Sequence, residues 1–234
     1  MTGAAGVGDG MGVAGDGAPR RLIVVADDLG YDPGIDEGLL EAHARGIVTA
    51  ASAMVDGDRA AAAIRGAPAT LALGLHLVLR PGASPSEARA EVERQLRKFE
   101  ELRGAPPAHL DGHRHVHAEP DVLAAVAAAA APRALRVRAL DPAMRDRLRA
   151  AGVPAADRLL GDAARRPCWT AGRLIETLEA LEPGTSELMC HPGRAPREVR
   201  TSFGIEREEE LAALCDPRAR EAIARRGAVL AGRL

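Results

Sequence analysis

The segment Leu22-Ile23-Val24-Val25-Ala26-Asp27-Asp28-Leu29-Gly30 decides how the rest of the chain is read. Its first five residues are apolar, rich in β-branched side chains and without polar alternation. Such a run suits a strand buried on both faces, as in a parallel sheet covered by helices. Two carboxylates stand at the strand's carboxyl end, ahead of a glycine turn. The pattern recurs downstream. Runs at 47–55, 71–79, 109–113, 135–139, 187–191 and 228–230 read as further strands. Between them, helices are expected at 35–45, 59–65, 86–102, 120–131, 145–151, 158–164, 171–181, 206–214 and 217–225. In the longest of these Ala88, Val92, Leu96 and Phe99 recur at helical steps, and Pro120 opens the one that follows it. Strands alternating with helices imply a parallel sheet. Six or seven strands in about 210 ordered residues fit an α/β fold of the TIM-like (β/α) barrel type, distorted, better than a long open sheet.

Composition narrows the function. The chain of 234 residues is expected to be one domain over 21–234, preceded by a disordered tail over 1–20. That tail is rich in Gly, Ala and Asp and lacks the charged and apolar regions of a signal peptide. A net charge of −2 leaves no basic footprint for duplex nucleic acid, and Tyr31, Phe99, Trp169 and Phe203 are too few aromatics for a stacking platform. Every basic residue except Lys98 is Arg. Cys168, Cys190 and Cys215 form neither a disulfide framework nor a paired metal motif, which points to a reducing, cytoplasmic setting. No apolar run reaches the ~18 residues of a membrane span, and neither GxGxxG nor GxxxxGK[ST] follows the first strand.

The polar residues carry the chemistry. His76, His113 and His191 each end an apolar run, as do Asp27 and Asp28. Taken singly, each has a bland account: an Asp capping the next helix, a histidine satisfied in the core, a solvated turn at His113-Arg114-His115-Val116-His117. Taken together they fall at one face of a barrel, where the carboxyl ends of the strands meet. Two imidazoles and one carboxylate can hold a metal and leave positions open for water and substrate. Such nitrogen donors suit Zn²⁺, Co²⁺, Ni²⁺ or Mn²⁺ better than Mg²⁺. A second carboxylate as base and a separate histidine as acid would complete a metal-assisted hydrolase.

Five segments then resemble a known family: Val25-Ala26-Asp27-Asp28-Leu29-Gly30, Gly46-Ile47-Val48-Thr49, Gly74-Leu75-His76-Leu77, the run from His109 to His117, and Glu187-Leu188-Met189-Cys190-His191-Pro192-Gly193. In this order they resemble the YdjC-like carbohydrate deacetylases. The resemblance implies a (β/α) barrel that removes acetyl groups from N-acetylated sugars or glycoconjugates with a divalent metal, commonly Mg²⁺, and a homodimer. Carried over by motif, Asp28, His76 and His113 would be metal ligands, Asp27 the general base and His191 the general acid. His115 and His117 would line the site or orient ligands, and Arg136 or Arg138 would lie near the substrate. Leu29 stands where the family has Phe and Gly112 where it has Ser or Thr. The short connection at 80–86 and the compact region 141–170 imply an open site. Two alternatives are weaker. An amidohydrolase would carry its HxH pair on the first strand and a bridging lysine, whereas here Asp27-Asp28 ends that strand and Lys98 lies in a helix. A non-catalytic barrel binding a glycan or a protein would have no use for both base and acid.

Overall fold

The apolar run forms β1 (Arg20–Leu29), in which Leu22, Ile23, Val24, Val25 and Ala26 have no solvent exposure. A strand so buried belongs inside a sheet. In the computed structural model, which describes residues 18–80, 82–161 and 168–233, β1 has neighbours on both edges. β7 (Gly184–Cys190) pairs with it from Arg20 to Ala26. The other edge is shared: β8 (Ala228–Leu230) takes the end at Arg20 to Leu22, and β2 (Ala50–Ala53) takes Val25 to Leu29. The sheet continues through β3 (Ala72–Leu77), β4 (His109–Gly112) and β5 (Arg136–Val137) on one side, and through β7 to β6 (Arg158–Leu160) on the other. Every pairing is parallel. The helices α1 (Pro33–Arg45), α2 (Ala60–Gly66), α3 (Pro85–Arg103), α4 (Pro120–Ala130), α5 (Pro142–Ala150), α6 (Ala171–Glu179), α7 (Ile205–Cys215) and α8 (Pro217–Arg225) join them. Local signals set their ends: in α3 a Ser84–Glu87 capping box opens the helix and Gly104, left-handed, closes it.

The sheet is curled into a half-barrel. β5 and β7 stand five steps apart in the strand order, which in a flat sheet would be ~24 Å at ~4.8 Å per step. Yet Arg138, directly after β5, donates its Nε–H to Glu187 on β7 at 2.5 Å. Among the described residues β5 and β6 do not pair, so the barrel stays open at that seam. Alternation along the strands then makes two cores. One, with Leu22, Val24, Leu39, Phe99 and Leu188, lies between sheet and helices. The other is small: Ile23, Val25 and Ala50, with Ala72 and Ala231 against them, form an apolar floor inside the curl. On this floor stand inward-facing polar side chains, Ser52, His76, His109, Asp111 and Glu187, all buried.

The helix expected over 158–164 is corrected: Arg158–Leu160 is β6, because its backbone pairs with Ser186 to Leu188 of β7. Residues 162–164 lie outside the described residues, as do residues 1–17 of the expected tail. Arg20, placed in that tail, opens β1 through its pairing with Gly184 and Ala228. None of the described helices is long and apolar enough to cross a membrane.

Gly74 shows how tightly the interior is filled. A Cβ there would lie 2.3 Å from the His109 ring, which is itself fixed by a 2.9 Å hydrogen bond to Ser52 Oγ. Gly74→Ala is expected to destabilise the fold by about 1–3 kcal/mol, the usual cost of overpacking. Urea unfolding measures this, and an unchanged midpoint would contradict the packing described.

Candidate active site

In a regular strand Asp27 and Asp28 would point to opposite faces. β1 avoids this at its end. Its register with β2 shifts between Ala26 and Leu29, and Asp28 adopts φ +77°, a left-handed conformation that Asp tolerates better than most residues. Both carboxylates therefore line one cavity of about 390 Å³, together with His76, His113, His115, His191, Tyr31, Phe203 and Arg207.

Asp28 gathers two imidazoles. His113 Nδ1 lies 3.1 Å and His76 Nε2 3.4 Å from Asp28 Oδ1, while Arg207 Nη2 donates to Oδ2 at 2.5 Å. One donor atom each from Asp28, His76 and His113 falls within 4.8 Å of the others. Burial alone would raise the Asp28 pKa, but hydrogen bonds from His113 and His76 and the charge of Arg207 hold it well below the usual carboxylate value. The far nitrogen of His76 is anchored: Nδ1–H donates to Asp111 Oδ1 at 2.8 Å. Burial pulls the His76 pKa down, yet the charge and hydrogen bond of Asp111 outweigh it and raise it to about 10. Asp111 in turn accepts from Ser52 Oγ at 2.5 Å and pairs with Arg138 Nη2 at 2.8 Å. A carboxylate fixing the outer nitrogen of a histidine whose inner nitrogen faces a second carboxylate is the support that metal-ligating histidines use. The residues fit a divalent cation held by Asp28, His76 and His113.

Asp27 is held differently. Arg138 grips it with two hydrogen bonds, Nη1 to Oδ2 at 2.7 Å and Nη2 to Oδ1 at 2.8 Å. His191 Nε2 lies 3.9 Å from Asp27 Oδ2, with its ring 5.3 Å from that of Phe203. The chain carrying Phe203 is tied down from below. Asp32, the N-cap of α1, also accepts the backbone N–H groups of Arg197, Glu198 and Val199. On α1, Gly38 lies so close to Gly193 that a Cβ would come within 2.5 Å of its backbone.

Of the residues singled out in the sequence, Asp27, Asp28, His76, His113, His115 and His191 share the cavity. His117 does not line it: the ring is buried and donates its Nε2–H to the Arg138 carbonyl at 3.2 Å. Arg136 and Arg138 lie in the barrel wall, both on Glu187. Asp111, Glu187, Arg207 and Glu210 were not anticipated. Asp111 was within reach, since it alternates with His109 on one strand. Arg207 and Glu210 sit on α7 among other charged residues, and nothing in the sequence marks them.

The YdjC-like protein family model matches residues 21–83 and 80–225, and the chain belongs to that family. It is 33% identical over 242 residues to a carbohydrate deacetylase of Geobacillus stearothermophilus, covering 91% of this chain and 96% of the relative. It is 31% identical over 245 residues to a chitooligosaccharide deacetylase of Serratia marcescens, covering 90% and 97%. In structure it is similar to an Enterococcus faecalis protein named for cellobiose-phosphate cleavage, with TM-score 0.81, 24% identity and coverage of 92% and 97%. A family 4 carbohydrate esterase of Streptomyces lividans, in complex with acetate, shares the fold with TM-score 0.59, 14% identity and coverage of 91% and 92%.

His117 gives the site's surroundings a pH signature. Burial lowers its pKa to about 3; Asp111 opposes the fall, and Arg138 and His115 add to it. The folded protein thus refuses a proton that the unfolded chain binds near 6.5, so this residue lowers stability as pH falls from about 6.5 towards 3. His117→Gln, which keeps a donor for the Arg138 carbonyl, is expected to flatten that acid limb. Thermal unfolding from pH 7 to pH 4 tests this: the difference in Tm between wild type and variant should change with pH, and a constant difference would contradict it.

Proposed function

We propose that this cavity is the active centre of a carbohydrate deacetylase, which hydrolyses the acetamide of an N-acetylated sugar or glycoconjugate to an amine and acetate. The observation that carries the reading is the division of labour between adjacent carboxylates: Asp28 faces His76 and His113, while Asp27, on Arg138, stands beside His191. The names of the relatives support the same substrate class. A binding-only barrel leaves the juxtaposition of Asp27 and His191 without a purpose.

A divalent cation held by Asp28, His76 and His113 would supply Lewis acidity, polarising the acetamide carbonyl and acidifying a water. Two nitrogen donors favour an ion such as Zn²⁺ or Co²⁺ over the Mg²⁺ that the family resemblance implies. The protein's own groups move the protons. Asp27, fixed in orientation by the two-point grip of Arg138, takes a proton from the attacking water as its oxygen bonds to the carbonyl carbon. His191, lining the same cavity with Nε2 3.9 Å from Asp27, gives a proton to the sugar nitrogen as the C–N bond breaks. Amine and acetate then leave. Arg207, on Asp28 Oδ2, leaves Oδ1 as the oxygen directed at the two imidazoles.

Acetate release from a panel of N-acetylglucosamine mono-, di- and trisaccharides and lipid- or aglycone-linked conjugates, with Mg²⁺, Zn²⁺, Co²⁺ or EDTA, tests the proposal. Asp27→Asn is expected to lose about 10²–10⁴-fold in turnover while binding metal as the wild type does. His113→Ala should lose both. Full turnover in Asp27→Asn, or release unaffected by EDTA, would overturn the reading.

A further inference from the structure

His191 belongs to a second set of donors, whose other two members the deacetylation chemistry does not use. Cys168, His191 and Glu210 each bring one donor atom to within 4.8 Å of the other two, with Cys168 and Glu210 buried. Glu210, on α7, accepts the backbone N–H of Cys168 at 2.9 Å and that of His191 at 2.7 Å. This clip accounts for the carboxylate's position. It does not account for the His191 ring, whose Nδ1 is buried without a hydrogen-bond partner while Nε2 lies 3.9 Å from Asp27. Burial raises the Glu210 pKa, and the charge of His191 with the two backbone hydrogen bonds only partly offsets it. A counter-cation would relieve that penalty.

The chemistry of the set is specific. Thiolate, imidazole and carboxylate are the three ligand types that Zn²⁺ takes from proteins, and one thiolate with one carboxylate neutralises a divalent charge, which lowers the cost of burying it. Cys168 lines a separate cavity of about 340 Å³ with Leu160, Gly161 and Trp169.

We propose that Cys168, His191 and Glu210 form a second, inhibitory site for Zn²⁺ or a similar thiophilic divalent cation, distinct from the Asp28, His76 and His113 set. The inhibition rests on the reading of His191 as the general acid. An imidazole gives up a proton as an acid only from the form protonated on both nitrogens, and a cation on Nδ1 excludes that form. The enzyme is thus active with the first site loaded and loses turnover as the second fills.

Cobalt distinguishes the sites, because only the second contains sulfur. Metal-free protein titrated with Co²⁺ should develop a thiolate-to-cobalt charge-transfer band in the near ultraviolet. The band should persist in Asp28→Asn and vanish in the near-isosteric Cys168→Ser. In Glu210→Gln its midpoint should shift by at least the roughly 10–100-fold that even an outer partner of a metal site costs. In parallel, acetate release by the wild type should fall as Zn²⁺ is raised beyond one equivalent, and this inhibition should be lost in Cys168→Ser. A folded protein with no thiolate band, or a band that survives in Cys168→Ser, overturns the site even if acetate release stands. A band that depends on Cys168 without inhibition by Zn²⁺ overturns the inhibitory role. Absence of acetate release from every substrate and metal would instead count against the deacetylase reading.

Discussion

The structure depends on one guanidinium. Arg138, 1% exposed, holds three carboxylates from three strands: Asp27 on β1, Asp111 on β4 and Glu187 on β7. Without it, Asp27 and Asp111 would lose their guanidinium in a low-dielectric interior while Glu187 kept Arg136, and breaking such a buried set by removing one partner typically costs about 3–5 kcal/mol. The same contacts do more than balance charge. They bring the strand at one end of the sheet order against strands near the other end, which is the curl of the half-barrel. They orient the carboxylate that faces His191. Through Asp111 they orient His76, and so the direction in which its inner nitrogen looks.

A second constraint is the irregular end of β1. Strand geometry would place only one of two successive residues inside the curl, and the left-handed backbone at Asp28 turns the second one in as well. Two chemically identical side chains thereby receive different surroundings. Asp28 is surrounded by imidazoles with one arginine behind it, and Asp27 is gripped by an arginine with a histidine beside it. Environments that separate the tasks of paired carboxylates are a recurrent way to obtain acid–base chemistry from one residue type.

Much of this was legible in the sequence. The buried run at Leu22 to Ala26, the strand–helix alternation and the coincidence of polar residues with strand ends point to a barrel with Asp27, Asp28, His76, His113 and His191 at one face. What stayed hidden depends on contacts between distant elements. The family resemblance implies Arg136 or Arg138 near the substrate, but it does not say that Glu187 and Asp27 hold them across the barrel. Arg207 comes from α7, where it is one charge among many. β6 is three residues long, and its strand character exists only through its pairing with β7.

The central claim is that Arg138 reserves Asp27 for proton transfer and leaves Asp28 to share a cation with His76 and His113. The donor atoms of Asp27, His76 and Asp111 also lie within 4.8 Å of one another, so the two assignments can be told apart directly. Anomalous diffraction from crystals grown with one equivalent of Co²⁺ or Zn²⁺ would locate the ion. The account predicts a peak among Asp28, His76 and His113, with Asp27 still paired to Arg138. A peak among Asp27, His76 and Asp111, with Arg138 displaced, would contradict it.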